Sequence, residues 1–224
     1  MRVRGSTGRL VASGALVSAL AATAFGASAS AAQAPAISAG HGCYVVGQPV
    51  ALSGRGFAGR REYVVSLDGV YFGESRTRSN GTFHSSLRPG GLGAGVAQQA
   101  EQLEVTDGTS VADTSFTLTR ATGARFLATG GSAGALMAPF EIWDLSPGGA
   151  RRTAYLHYVN PSGGLRETVA LGTTGGQCGY LRTPKRRVFP FAPYPGSWTF
   201  QIDTRKAYSP HPGGSVARIR VGVG

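Results

Sequence analysis

Tyr63-Val64-Val65-Ser66-Leu67-Asp68-Gly69-Val70-Tyr71-Phe72-Gly73 is the most telling stretch of the chain. Tyr63, Val65 and Leu67 fall on one side of an extended backbone, because successive side chains of a strand point to opposite faces. Asp68-Gly69 is a tight-turn pair, since both positions of the commonest hairpin turn need positive φ. Val70 to Gly73 then runs back out. The stretch reads as a β-hairpin with one apolar face.

The pattern extends in both directions. Upstream, Val50 and Leu52 alternate with small residues. Downstream, Asn80-Gly81 turns the chain into a strand over Thr82 to Leu87. Leu103 and Val105 alternate with Gln102, Glu104 and Thr106, Asp107-Gly108 turns again, and Phe116 and Leu118 alternate with Ser115, Thr117 and Thr119. The second half is patterned alike, with Phe140 and Ile142 about Glu141, a doubly apolar run from Thr153 to Val159, and a turn at Pro161 to Gly164. Val169 and Leu171 follow it. Trp198, Phe200 and Ile202 alternate with Thr199, Gln201 and Asp203, and Ala217, Ile219 and Val221 with Arg218 and Arg220. No segment past the first 35 residues keeps an apolar period of 3.6. Short alternating runs between turn residues predict an all-β sandwich or barrel. The Arg120 to Arg125 stretch is the expected joint between halves.

The start has a different composition. Arg2, Arg4 and Arg9 precede an uncharged Ala-rich run from Leu10 to Phe25, and small residues with Ala-x-Ala spacings follow. This predicts a cleavable signal peptide over 1–32. A membrane-spanning helix fits less well, because the run dissolves into Ser, Gly and Pro short of about 20 apolar residues. The remaining chain suffices for two domains of about 90–100 residues each. An exported product and no transmembrane segment in the mature chain are therefore expected.

Net charge is +11 over 224 residues. Lys185 and Lys206 are the only lysines among 22 basic residues, an arginine bias like that of a GC-rich genome. A basic surface favours polyanions in general, and for an exported chain nucleic acid is the least favoured of them. Cys43 and Cys178 are the two cysteines. Export to an oxidising compartment makes them a disulfide candidate that would clamp the two halves; two unpaired small residues is the alternative. Lipid attachment at Cys43 is disfavoured, because Ala39-Gly40-His41-Gly42 carries no aliphatic residue of the kind a lipoprotein signal has. The chain closes on Arg-Val-Gly-Val-Gly, with no Leu-Pro-x-Thr-Gly sorting signal, so free secretion or loose surface association is expected over covalent anchoring.

Gly47-Gln48-Pro49-Val50-Ala51-Leu52-Ser53-Gly54-Arg55-Gly56-Phe57 resembles the opening of bacterial Ig-like repeats of the IPT/TIG kind. Leu67-Asp68-Gly69, Asn80-Gly81-Thr82-Phe83 and Val105-Thr106-Asp107-Gly108 follow in the order such repeats show. The resemblance covers roughly residues 36–119. It implies Ig-like modules on extracellular proteins, used as spacers, adhesion units or carbohydrate-facing accessories. The loop from Arg88 to Val96 is longer and richer in glycine than that pattern requires. The full expectation is two tandem Ig-like antiparallel β-sandwich domains, 36–119 and 125–224, the second labelled only by alternation and length.

Candidate chemistry is sparse. The glycine-rich loop 89–95 lacks the Gly-Lys-Ser/Thr and helix start of a phosphate loop. His41, His84, His157 and His211 form no metal-ligand spacing, and His157 reads as a packed strand residue beside Tyr155. Ser162, His157 and Asp203 are formally enough for a triad, without a nucleophile-elbow motif. Glu101/Glu104 and Asp107/Asp113 read as solvated carboxylates rather than a glycosidase pair, and Asp68 and Asp107 lack a calcium-loop pattern. Lys185, Arg186 and Arg187 are the densest basic run: a candidate polyanion contact, or a strand end whose charges discourage edge pairing. In Phe189 to Trp198, prolines exclude a central strand, so its aromatics either cap the core or form a stacking platform. A ligand face, if there is one, is expected at Tyr194 and Trp198, with Trp143 and Tyr155 as lesser candidates.

No cofactor or metal is expected. The favoured function is a secreted, non-enzymatic Ig-like protein with a structural, adhesive or binding role at or outside the cell surface. The alternative is an accessory protein binding carbohydrate or cell-wall polymer; an extracellular hydrolase ranks third. Candidate partners are cell-wall polysaccharide, an acidic surface polymer or another surface protein.

Overall fold

The computed structural model describes residues 33–128 and 132–224, so the expected signal peptide lies outside the described residues. Every regular element among them is a β-strand. None of their segments is a helix long and apolar enough to cross a membrane.

Eight strands make the first half: β1 (Ala36–Ala39), β2 (Cys43–Val45), β3 (Val50–Arg55), β4 (Glu62–Leu67), β5 (Val70–Arg76), β6 (Phe83–Leu87), β7 (Gln98–Thr106) and β8 (Val111–Thr119). They form a three-stranded sheet in the order β1-β3-β6 and a five-stranded sheet in the order β2-β8-β7-β4-β5. All pairings are antiparallel except β2 with β8, which is parallel. The predicted parity holds: Val50, Leu52, Phe83 and Leu87 of one sheet and Tyr63, Val65, Leu103, Val105, Phe116 and Leu118 of the other share one buried core. The Asp68-Gly69 turn closes the β4–β5 hairpin with both residues at positive φ, 49° and 76°.

Two glycines of the 47–57 stretch have a physical reason. A Cβ at Gly54 would lie 2.0 Å from the Phe83 ring, so only glycine lets that ring pack over β3. Gly56 sits at φ 78°, and a Cβ there would meet the Ala34 carbonyl at 2.5 Å, a double obstacle for any other residue.

The second half holds β9 (Gly123–Phe126), β10 (Met137–Ala138), β11 (Phe140–Trp143), β12 (Thr153–Val159), β13 (Leu165–Thr173), β14 (Leu181–Arg182), β15 (Arg186–Arg187), β16 (Gly196–Asp203) and β17 (Ala217–Val223). A four-stranded sheet, β13-β12-β16-β17, packs its inner face on a three-stranded sheet, β14-β11-β9, and β10 pairs with β15. Phe140, Ile142, Leu156, Tyr158, Trp198, Phe200 and Ile202 are completely buried in this second core. β9 begins at Gly123, so the second half's first strand starts inside the stretch expected to be the joint.

Residues 33–224 form one compact unit with these two cores. Cys43 and Cys178 are disulfide-bonded, joining β2 to the turn before β14. Arg125 adds a second tie: its Nη2 donates to the Gly95 carbonyl at 2.7 Å and its Nε to Glu141 at 2.6 Å. Arg120 holds the glycine-rich loop from its own side, donating to the carbonyls of Val96 and Gly93. Two expectations need correction. Glu101 and Asp107 are buried rather than solvated, because each finds partners inside the protein.

Candidate functional site

The outer face of the four-stranded sheet carries the densest polar construction among the described residues. The register lines up Thr168 of β13, His157 of β12, Gln201 of β16 and Arg218 of β17 in one row. Alternation puts Trp198, Phe200 and Ile202 inward and Thr199, Gln201 and Asp203 outward. Yet Gln201 and Asp203 are almost completely buried. The chain leaving Asp203 folds back over them as the loop 204–216, rich in proline and glycine.

Hydrogen bonds hold that loop down. Asp203 Oδ1 accepts the Arg205 amide at 2.7 Å, and Oδ2 accepts Gln201 Nε2 at 3.0 Å. Gln201 Nε2 also donates to the Ser209 carbonyl at 2.9 Å. Gln201 Oε1 takes both Nε and Nη2 of Arg218, and Nη2 continues to the Pro210 carbonyl at 3.0 Å. Arg205 Nη2 reaches the Gly213 carbonyl. A buried polar group costs free energy unless bonded, and here each one is bonded to the loop or to a neighbour that is.

His157 sits in the middle, fully buried, with the Tyr208 ring tilted over it at 5.6 Å between centroids. Its Nε2 lies 3.4 Å from Asp203 Oδ1 and its Nδ1 2.9 Å from Thr168 Oγ1. The consistent assignment has Nε2–H donating to the carboxylate and the threonine hydroxyl donating to Nδ1. The structure thus joins His157 to Asp203, two of the three residues considered for a triad. The third place goes to Thr168. Ser162 lies in the exposed β12–β13 turn, its amide bonded to Asn160.

Beside this network opens a cleft of about 710 Å³. Its walls are Val159, Thr199 and Gln201 on the sheet, Gly163 in the turn, and Tyr208, Pro210, His211, Pro212 and Gly213 of the loop, with Arg218 at the side. The lining contains no carboxylate. Gln201 has spent every donor and acceptor, so it is a wall. The groups left for a ligand are the Tyr208 and His211 rings, the Thr199 hydroxyl and the Nη1 of Arg218.

The residues singled out from the sequence lie elsewhere and do not converge. Trp198 is corrected outright: it is 0 % exposed, facing the core with Phe189 and Phe191 against it, and its Nε1 donates to the Tyr194 carbonyl. A ring so placed has no face for a ligand. Tyr194, 48 % exposed, touches Trp198 from outside. Trp143 is half-buried near the joint, its Nε1 bonded to the Ala121 carbonyl and Arg125 over its ring. Tyr155 is half-buried on the outer sheet face, one row from His157. The segment 189–198 therefore caps the core, and no shared stacking platform forms.

Lys185 and Arg187 are exposed, while Arg186 donates to the Ala170 carbonyl and is half-buried. Arg186 and Arg187 are strand β15, paired with β10. Sequence reasoning missed Thr168, Gln201, Tyr208 and Arg218. The available signal was the unusual loop Tyr208-Ser209-Pro210-His211-Pro212-Gly213, bracketed by strands with polar outward positions.

No family model matches the chain, and no curated protein does. Among solved structures, the red sea bream transglutaminase is similar at a TM-score of 0.30 and 11% identity, over 84% of this chain and 31% of that one. A beta-glycosidase from Bacteroides vulgatus is similar at 0.27 and 10%, over 85% of this chain and 25% of that one. This chain spans less than a third of either, and likenesses at these scores carry no argument about its fold or activity.

Proposed function

We propose that the chain is an exported protein of two Ig-like sandwich modules that acts by non-covalent binding, in a structural or adhesive role, at or outside the cell surface. One observation carries this reading. The groups with catalytic potential, His157, Asp203 and Thr168, are committed to one another and to the loop 204–216. The open cleft beside them offers ring faces, a hydroxyl and a guanidinium, which suit holding a ligand.

Other features support it. The order β1-β3-β6 against β2-β8-β7-β4-β5, with β2 parallel to β8, supports an Ig-like reading of the first half, the reading that the IPT/TIG resemblance of 36–119 also implies. The Cys43–Cys178 disulfide suits an oxidising compartment, as export through a cleaved 1–32 segment requires. Binding to cell-wall carbohydrate is the form of this function that the cleft favours, over a spacer without a ligand.

Retention on purified cell-wall polysaccharide tests the reading, with Tyr208→Ala as the variant that weakens it. A fluorophosphonate probe tests the hydrolase alternative. Covalent labelling of Thr168 in the folded protein would overturn the non-enzymatic role, whereas an unlabelled protein retained by the polymer supports it.

A further inference from the structure

We infer that the cleft beside the loop 204–216 is a site for an acidic sugar, anchored by the free edge of the Arg218 guanidinium; this rests on the binding role proposed above. Arg218 is held firmly before any ligand arrives. Nε and Nη2 are fixed by three bonds, two to Gln201 Oε1 and one to the Pro210 carbonyl. Gln201 is in turn fixed by Asp203 and Ser209. The rotamer entropy of a long side chain is therefore already lost in the free protein. Nη1 keeps both its N–H groups.

No carboxylate bonds to that edge. The ion pairs among the described residues are Arg76–Glu62 and Arg125–Glu141; Asp203 is turned to His157, Gln201 and the Arg205 amide, and no carboxylate lines the cleft. An immobilised guanidinium with two free donors and no anion suits a carboxylate, phosphate or sulfate group. The other walls narrow the class. Tyr208 and His211 offer flat faces, and Pro210 and Pro212 offer apolar edges, where the C–H face of a pyranose ring packs. The Thr199 hydroxyl can exchange hydrogen bonds with sugar hydroxyls. The combination of one cation, ring faces and a hydroxyl fits a sugar bearing an anionic group better than a simple ion.

Titration calorimetry of the mature, disulfide-bonded chain tests this with three probes: a short oligogalacturonate, its carboxyl-reduced counterpart and inorganic phosphate. The uronate is expected to bind at least about tenfold more tightly than the reduced sugar and to weaken as salt rises. Phosphate alone is expected to bind far more weakly than the uronate, because it leaves the ring faces unused. Arg218→Gln should lower uronate affinity about tenfold or more. Since that change also loosens the loop, His211→Ala is the second variant: nothing in the fold depends on its side chain, and it should weaken binding several-fold with an unchanged melting temperature. Equal affinity for charged and reduced sugar, or phosphate binding as tight as the uronate, would overturn the inference. So would binding that survives Arg218→Gln and His211→Ala but is lost on neutralising Lys185 and Arg187. Retention of cell-wall polymer that ignores the cleft variants refutes this site alone, while absence of retention by any wall polymer refutes the broader binding role.

Discussion

Asp107 shows how single side chains set the behaviour of the first core. Its Oδ2 accepts the Ala58 amide, and its Oδ1 accepts the Thr109 amide and hydroxyl and the Ser110 amide. Burial pushes this carboxyl up, but the four donors outweigh it and hold it well below the usual carboxylate range. Its contribution is therefore present above the unfolded-state value near 3.8 and is lost as pH falls through the folded one. Asp107→Asn turns one oxygen into a donor facing another donor. It should lower the unfolding free energy by about 2 kcal/mol, read from a denaturant midpoint; an unchanged midpoint contradicts the assignment. Glu101 behaves in the opposite sense. Burial first, then a hydrogen bond and repulsion from Asp68, push its carboxyl from 4.5 to about 7. The folded state holds that proton longer than the unfolded chain, so its stabilising share is complete below about 4.5 and disappears as pH rises to about 7. Glu101→Gln should flatten stability across that window, and an unchanged pH profile would refute the burial argument. In β7 Glu101 shares the buried parity of Leu103 and Val105. The expectation of a solvated Glu101 fails because a carboxylate is rarely buried without a partner, and the Asp68 carboxyl it faces comes from a hairpin more than thirty residues away.

Among the strands, the long ones were legible and the short ones were not. β4, β7, β8, β16 and β17 announce themselves by alternation bounded with turn residues. β10, β14 and β15 have two residues each and exist because distant segments pair with them, which no local period encodes. The same reason hid the candidate site. Thr199, Gln201 and Asp203 all face outward as expected, but for Gln201 and Asp203 outward means beneath the loop 204–216, while Thr199 lines the cleft. That loop is a stapled element, and its bonds predict its dynamics. Asp203→Asn removes the charge that accepts the Arg205 amide and faces His157. Hydrogen exchange at the Arg205 amide should accelerate about tenfold or more while the amides of Phe200 and Ile202 stay protected. Uniform acceleration across β16 would mean that the network supports the whole sheet instead. Trp198 depends on its neighbouring segment in the same way, since the aromatic stretch before β16 packs back over the strand it leads into. Trp198→Ala should cost about 3–5 kcal/mol as a core truncation. A loss of binding in that variant would report unfolding and say nothing of a ligand face.

Across both halves, two separate cores are held as one compact unit by few ties: the Cys43–Cys178 bridge and the Arg125 contacts to Gly95 and Glu141. The bridge spans a sequence separation of 135, so its effect on the unfolded chain is large. Reduction should lower stability by about 2–5 kcal/mol. The pairing was legible as one of two outcomes from the cysteine count and the leading segment, but its geometry was not, because Cys178 sits in a turn whose position depends on the second core. The proposed export of a β protein locked by that bridge makes a simple demand on the product recovered from outside the expressing cell. Its intact mass should be that of a polypeptide beginning close to residue 33 and lighter by the two hydrogens lost in forming one disulfide. A full-length chain retained inside the cell, with both cysteines open to alkylation, would contradict it.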